Sequence, residues 1–231
     1  MNNINRAPRI LSRIKRLLVN SGARPRGVHF GLYAGLTLEI DLQTQMQLYL
    51  GLWEAEIARY LLGELRTARF FIDIGAGSGE MVALFAKQKQ VTVIHAAEPV
   101  LTEIERLRRN LGLNGLNEEK VRIVAKLIGE KIADDYVRLD ALEVPASGGG
   151  VVKIDVDGAE MEVLRSGETL FRRPAMRAII ETHSAQLEIE CDQFFRERGY
   201  RTKIIRNAWW RVFIPEQRPI DHNRWLWVQN D

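Results

Sequence analysis

The chain has 231 residues, 46% of them apolar, enough for one α/β-sized domain with a substantial core. No apolar run approaches the ~18–20 residues of a membrane span, and the single Cys191 excludes an internal disulfide and suggests a reducing compartment. The net charge of +3 is unevenly spread: residues 1–38 hold Arg6, Arg9, Arg13, Lys15, Arg16, Arg24 and Arg26 with no acid, leaving 26 basic and 30 acidic residues for the rest. That mildly acidic body argues against a general nucleic-acid-binding face.

Residues 9–19 place Ile10, Leu11, Ile14, Leu17 and Leu18 on one helical face beside Arg13, Lys15 and Arg16. Such a helix suits weak contact with an anionic membrane surface, or packs on its own domain. The N-terminus has no continuous apolar h-region, so the cytoplasm is the expected location. Asn20 to Gly27 reads as a linker and Val28 to Leu42 as a short hairpin around Ala34-Gly35. Residues 1–45 are therefore expected to be a basic helix-and-hairpin extension, with the main body over 46–231.

Gly51 to Leu65 reads as a helix, followed by strand Arg69–Ile74, helix Glu80–Lys87, strand Val91–Ala97, helix Pro99–Leu111 and strand Val121–Ala125. Val151–Val156 is a fourth strand, Ala159–Phe171 a helix and Ala178–Glu181 a fifth strand. The next helix carries Leu187, Cys191, Phe194 and Phe195 and is closed by Gly199. Tyr200–Arg206, Arg211–Ile214 and Asn223–Val228 read as final strands, some antiparallel. The alternation implies a doubly wound, mostly parallel seven-stranded sheet with helices on both faces and an antiparallel C-terminal strand pair.

The first strand runs into Asp73-Ile74-Gly75-Ala76-Gly77-Ser78-Gly79-Glu80, and Glu98 closes the second strand. Glycines lay the backbone bare for a ligand, and a carboxylate at the second strand end suits a ribose hydroxyl pair. A dinucleotide fingerprint would have its third glycine where Glu80 stands, and a carboxylate there repels a diphosphate. The pattern suits a cofactor without phosphate, such as S-adenosylmethionine, and Asp73 to Gly79 resembles the first motif of the class I methyltransferases.

In an open α/β sheet, ligands bind at the carboxyl ends of the strands. The polar residues there are Asp73, Glu98, Asp155, Asp157, Glu181 and His183. The segment Lys153-Ile154-Asp155-Val156-Asp157-Gly158-Ala159-Glu160 resembles the fourth-strand motif of the FkbM family of class I methyltransferases, with Asp157 where the family usually has Glu. Gly51 to Glu54, Ala97-Glu98-Pro99, Val137 to Asp140 and Ile180 to His183 agree, so the resemblance covers about residues 45–205.

The resemblance implies that residues 46–231 form an S-adenosylmethionine-dependent methyltransferase domain. The expected acceptor is a hydroxyl of a small molecule such as a sugar, lipid or secondary metabolite. Cofactor contacts are expected at Glu54, Asp73, Gly75, Ala76, Gly77, Gly79, Glu98 and Pro99. His183 is the candidate base, oriented by Glu181 or Asp155, and these three form the catalytic set. No metal ligands are assigned, although Asp155, Asp157 and Glu181 would suit Mg²⁺. Nucleic-acid methylation, nicotinamide-dependent oxidoreduction and a non-catalytic cofactor-binding module are the competing readings.

Overall fold

A computed structural model describes residues 21–212 and 222–230; the basic helix over 9–19 lies outside them. The chain first forms a hairpin of β1 (Arg24–Gly27) and β2 (Thr37–Ile40), so the expected linker is a strand paired from Arg24↔Ile40 to Gly27↔Thr37. Val28, Leu32, Tyr33, Leu36, Leu38 and Ile40 of this segment are buried in the main core. Edge pairing and core burial are properties of the folded partner, and the Arg-Pro-Arg-Gly composition of β1 alone hides them.

Next come α1 (Met46–Tyr49) and α2 (Ala58–Glu64), the latter shorter than the helix expected from Gly51. Glu54 has φ +53°, a left-handed conformation that no helix interior accommodates. The alternating body follows as β3 (Phe70–Ile74), α3 (Glu80–Ala86), β4 (Val93–Ala97), α4 (Leu101–Leu113) and β5 (Val121–Val124). Residues 126–150 hold a small parallel pair, β6 (Leu127–Ile128) and β7 (Tyr136–Val137).

Then come β8 (Gly150–Ile154), α5 (Glu160–Ser166), β9 (Met176–Thr182), α6 (Ala185–Arg196), β10 (Arg201–Ile205) and β11 (Arg224–Gln229). The helix expected to reach Phe171 stops at Ser166 and resumes as a 3-10 turn, Leu170–Arg172. The Asp140 carboxylate accepts from the Thr169 and Leu170 amides and fixes that turn. The strand expected at Arg211–Ile214 begins instead as a 3-10 turn, Trp209–Val212, and its last residues lie outside those described.

The main sheet has seven strands in the order β10-β11-β9-β8-β3-β4-β5. Four neighbouring pairs are parallel, and β11 runs antiparallel to both β9 and β10. Side-chain alternation splits the core into two layers. Phe71, Val151, Ile179, Trp225 and Trp227 face the hairpin and α3, where Phe71 stacks on Phe85 at 3.9 Å between centroids. Phe70, Ile72, Ile74, Val152, Ile154, Ala178 and Ile180 face α5 and α6, meeting Val163, Leu164, Cys191 and Phe195. This is the doubly wound, class I methyltransferase-like architecture.

Candidate functional site at the carboxyl edge of the sheet

The same alternation that buries Phe71 and Val151 puts Asp73 and Lys153 on the hairpin side, two residues further along each strand. Parallel register sets Asp73 directly beside Lys153, and β11 sets Trp225 beside Glu181. Lys153 Nζ lies 3.2 Å from Asp155 Oδ2, 3.5 Å from Asp73 Oδ1 and 3.8 Å from Glu54 Oε1. Glu54 arrives from the left-handed turn ahead of α2, and the hydroxyl of Tyr33 donates to its Oε2.

Tyr33, Glu54, Asp73 and Lys153 are buried and Asp155 is partly buried, so water screens their charges little. Burial pushes the Glu54 carboxyl up to about 7, outweighing Lys153 and the Tyr33 hydrogen bond, which pull it down. Burial likewise raises Asp73 to about 6 against the pull of Lys153. For Lys153 burial favours the neutral form, but Asp73, Asp155 and Glu54 prevail and hold it above the usual lysine range.

Beyond Asp73 the glycine turn is stitched to the end of β4. Gly75 and Ala76 amides donate to Ala97 O at 3.0 and 3.1 Å, and Gly79 N donates to Ala76 O at 2.9 Å. Gly77 N donates to Glu98 Oε2 and Val100 N to Glu98 Oε1, both at 2.9 Å. The glycines serve different ends. A Cβ at Gly75 would lie 2.0 Å from Asp155 O and one at Gly79 2.5 Å from Leu107 Cγ, whereas one at Gly77 meets nothing within 4 Å. Of these three turn glycines, Gly77 is the one that faces open space among the described residues.

Two clefts of about 260 Å³ each flank the turn. One is lined by five carboxylates (Glu54, Asp73, Glu80, Glu103 and Asp155) against two cations, Arg106 and Lys153, with Trp53 and Leu48 as apolar walls. The other runs past Ala97, Glu98 and Pro99 to Lys126, Leu127 and Ile128. Gly75 and Asp155 line both. The structure thus gathers Glu54, Asp73, Gly75, Ala76 and Gly77 at one cleft and Glu98 with Pro99 at the other. Gly79 packs under α4.

A second polar corner sits past the ends of β8 and β9. Ser184 caps α6, its Oγ accepting from Leu187 N at 3.0 Å, and this fixes His183 immediately before the helix. His183 Nδ1 is 2.6 Å from Glu160 Oε1, and the same oxygen accepts from the His183 amide at 3.3 Å. Glu160, not Glu181 or Asp155, therefore orients the ring. Nε2 faces Asp157 Oδ1 at 3.5 Å, Asp155 Oδ1 at 3.7 Å and Glu181 Oε2 at 4.0 Å, all beyond hydrogen-bond length. It is buried without a hydrogen-bond partner among the described residues.

Sequence reasoning missed three contributors. Glu160 was visible in the fourth-strand motif, but only the fold brings α5 under His183. Tyr33 reaches the site from the hairpin. Arg106 lines the acidic cleft and holds Glu103 and Gln45 at 3.0 to 3.1 Å. Trp225 and Trp227 are buried strand-face residues, and His95 is tied to Glu143 O at 2.7 Å.

Residues 128–202, which include Lys153, Asp155, Glu160, Glu181 and His183, match the family described as Methyltransferase FkbM domain. No curated protein matches the chain. The structure of methyltransferase FkbM from Methylobacillus flagellatus KT is similar, with TM-score 0.54 at 16% identity over 70% of this chain and 43% of that one. This chain thus spans less than half of that protein's length. Precorrin 8w decarboxylase of Methanobacterium thermoautotrophicum gives 0.51 at 18% identity, over 78% of this chain and 90% of that one. An rRNA methylase from Streptococcus thermophilus gives 0.52 at 11%, over 75% and 92%. At such identities the likeness establishes the fold. The chain has a class I methyltransferase-like fold, and its residues 128–202 match the methyltransferase FkbM domain.

Proposed function

We propose that this protein transfers a methyl group from S-adenosylmethionine to a hydroxyl of a small molecule, such as a sugar, lipid or secondary metabolite. The observation that carries the donor is the character of the glycine turn. Its Gly75, Ala76, Gly77 and Gly79 amides are consumed within the chain, and the cleft beside it holds five carboxylates against two cations. A pyrophosphate would find these four donors already engaged and the charge of the cleft unfavourable. A ligand bearing a sulfonium and an ammonium meets complementary charge.

Glu54, Asp73 and Asp155 would face the cationic part of the donor. Gly77 leaves room for close approach, and Glu98 and Pro99 line the cleft suited to its nucleoside. When bound, the donor supplies an electrophilic methyl on sulfur. The chain's task is then to align the acceptor oxygen and to receive its proton. His183, held by Glu160 and ringed by Asp155 and Glu181, offers Nε2 for that proton in the ion-free site. In the transfer the acceptor O–C bond forms as the methyl C–S bond breaks.

Thermal-shift measurements with S-adenosylhomocysteine and NADH test the donor. The first should raise the midpoint and the second leave it unchanged. Labelled donor incubated with cell extract, followed by mass analysis, tests the acceptor. Label appearing in RNA or protein instead of a small hydroxylated metabolite overturns the acceptor class. Donor binding without any labelled product makes the protein a binding module.

A further inference from the structure

The polar corner around His183 brings several carboxylates onto one buried imidazole. Asp155 divides its carboxylate between two neighbourhoods: Oδ2 faces Lys153 at 3.2 Å, while Oδ1 faces His183 at 3.7 Å. On the Lys153 side the ammonium sits among Asp155, Asp73 and Glu54, and its charge also reaches Glu181. On the His183 side, Asp155, Glu181 and Glu160 converge with Asp157 on one imidazole.

We propose that Asp155, Glu181 and His183 bind a divalent cation through one imidazole nitrogen and two carboxylates, a donor set that Mn²⁺ can probe. One ligand atom from each residue lies within 4.8 Å of the others. Two ligands bound at about 2.1 Å to one ion sit no more than about 4.2 Å apart. The 3.7 and 4.0 Å separations from Nε2 to Asp155 and Glu181 fall inside that limit, yet they are too long for hydrogen bonds.

The independent observation is His183 itself. Its side chain is 3% exposed, and among the described residues Nε2 has no hydrogen-bond partner although it points into the cluster. Glu160, fully buried, takes Nδ1 at 2.6 Å. That places the ring proton on Nδ1 and a lone pair on Nε2, the carboxylate–histidine arrangement that supports a metal-ligating imidazole. Asp157, with an 80% exposed side chain, stands at the solvent mouth 3.5 Å from Nε2. With an ion bound, His183 is a ligand rather than a base, and the acceptor proton leaves to solvent.

Binding is read with Mn²⁺ alone, with neither donor nor acceptor present, so it is independent of the methyl-transfer reading. The full chain, stripped with chelator, is titrated with Mn²⁺ and followed by electron paramagnetic resonance. One saturable ion per chain is expected, with nitrogen coupling in the pulsed spectrum. His183→Gln should abolish that coupling, and His183→Gln, Glu181→Gln and Glu160→Gln should each weaken binding by about tenfold or more. Glu130→Gln, an exposed acid outside the corner, should change nothing.

Circular dichroism checks that each variant is folded. If His183→Gln does not fold, the nitrogen coupling of the unmodified protein decides. Absence of that coupling, no saturable site up to about 1 mM Mn²⁺, or unchanged affinity in folded His183→Gln overturns the proposal. An imidazolium at His183 that persists at neutral pH in saturating Mn²⁺ overturns it too.

Discussion

Two buried acidic clusters share one edge of the sheet and meet at Asp155, yet they are built on opposite electrostatic plans. Around Lys153 the carboxylates Glu54, Asp73 and Asp155 are held by a buried ammonium, itself fixed by strand register beside Asp73. Around His183 the carboxylates surround an imidazole whose Nε2 has no hydrogen-bond partner among the described residues. The first cluster carries its own cation and shapes the wall of a cleft. The second is chemically open, as a site that acts on a ligand or ion must be. A buried charge cluster therefore has to be read through its counter-charge, because acid count alone would treat the two as equivalent.

The comparison breaks most sharply at Lys153. Lys153→Met leaves three carboxylates without their buried cation and is expected to cost about 3–5 kcal/mol, a fall of roughly 10 °C in the midpoint of thermal unfolding. A loss below about 1 kcal/mol in urea unfolding would mean that the lysine does not hold the cluster together.

His183→Ala should do the opposite, removing function more than stability. The rate of methyl transfer should drop by about 10²-fold or more, with the S-adenosylhomocysteine thermal shift retained. Loss of the shift together with the rate would place His183 in the donor cleft instead of at the reacting edge.

A pH series sharpens the contrast. Glu54 titrates near 4.5 when unfolded and is pushed up to about 7 when folded. Between those values the folded state binds more protons, so this group's contribution to stability declines as pH rises from about 4.5 to 7. The difference in unfolding free energy between the parent protein and Glu54→Gln should fall by about 1–3 kcal/mol over that range. An unchanged difference would show that Glu54 is not held in its protonated form.

The glycine turn provides the smallest contrast. Gly79→Ala is expected to destabilise by about 1–3 kcal/mol, because its φ is +80° and a Cβ would strike Leu107. Gly77→Ala has open space around it, so about 1 kcal/mol for the left-handed conformation is expected. Its main effect should be weaker S-adenosylhomocysteine binding in calorimetry. Equal binding by both variants would remove Gly77 from the cofactor cradle.

The sequence was most legible where local pattern and global fold agree. Phe70 to Gly79 announced a strand and glycine turn, and the alternation of strands with helices indicated the doubly wound sheet. It was least legible where a partner element supplies the reason. Arg24 to Gly27 is a strand because β2 pairs with it, and the helix ahead of Leu65 is curtailed by the left-handed turn at Glu54. Glu160 looked like one more acid at a helix start until α5 carried it beneath His183.

By itself the sequence determined the sheet, the placement of Asp73, Asp155, Glu181 and His183 at strand ends, and the acidic character of the edge. These follow from periodicities of two and 3.6 residues, which local chemistry encodes. Only the tertiary structure decided which acids share Lys153, which one orients His183, and which glycine faces open space. Those outcomes depend on strand register and helix packing between residues far apart in the chain, and no local pattern records such distances.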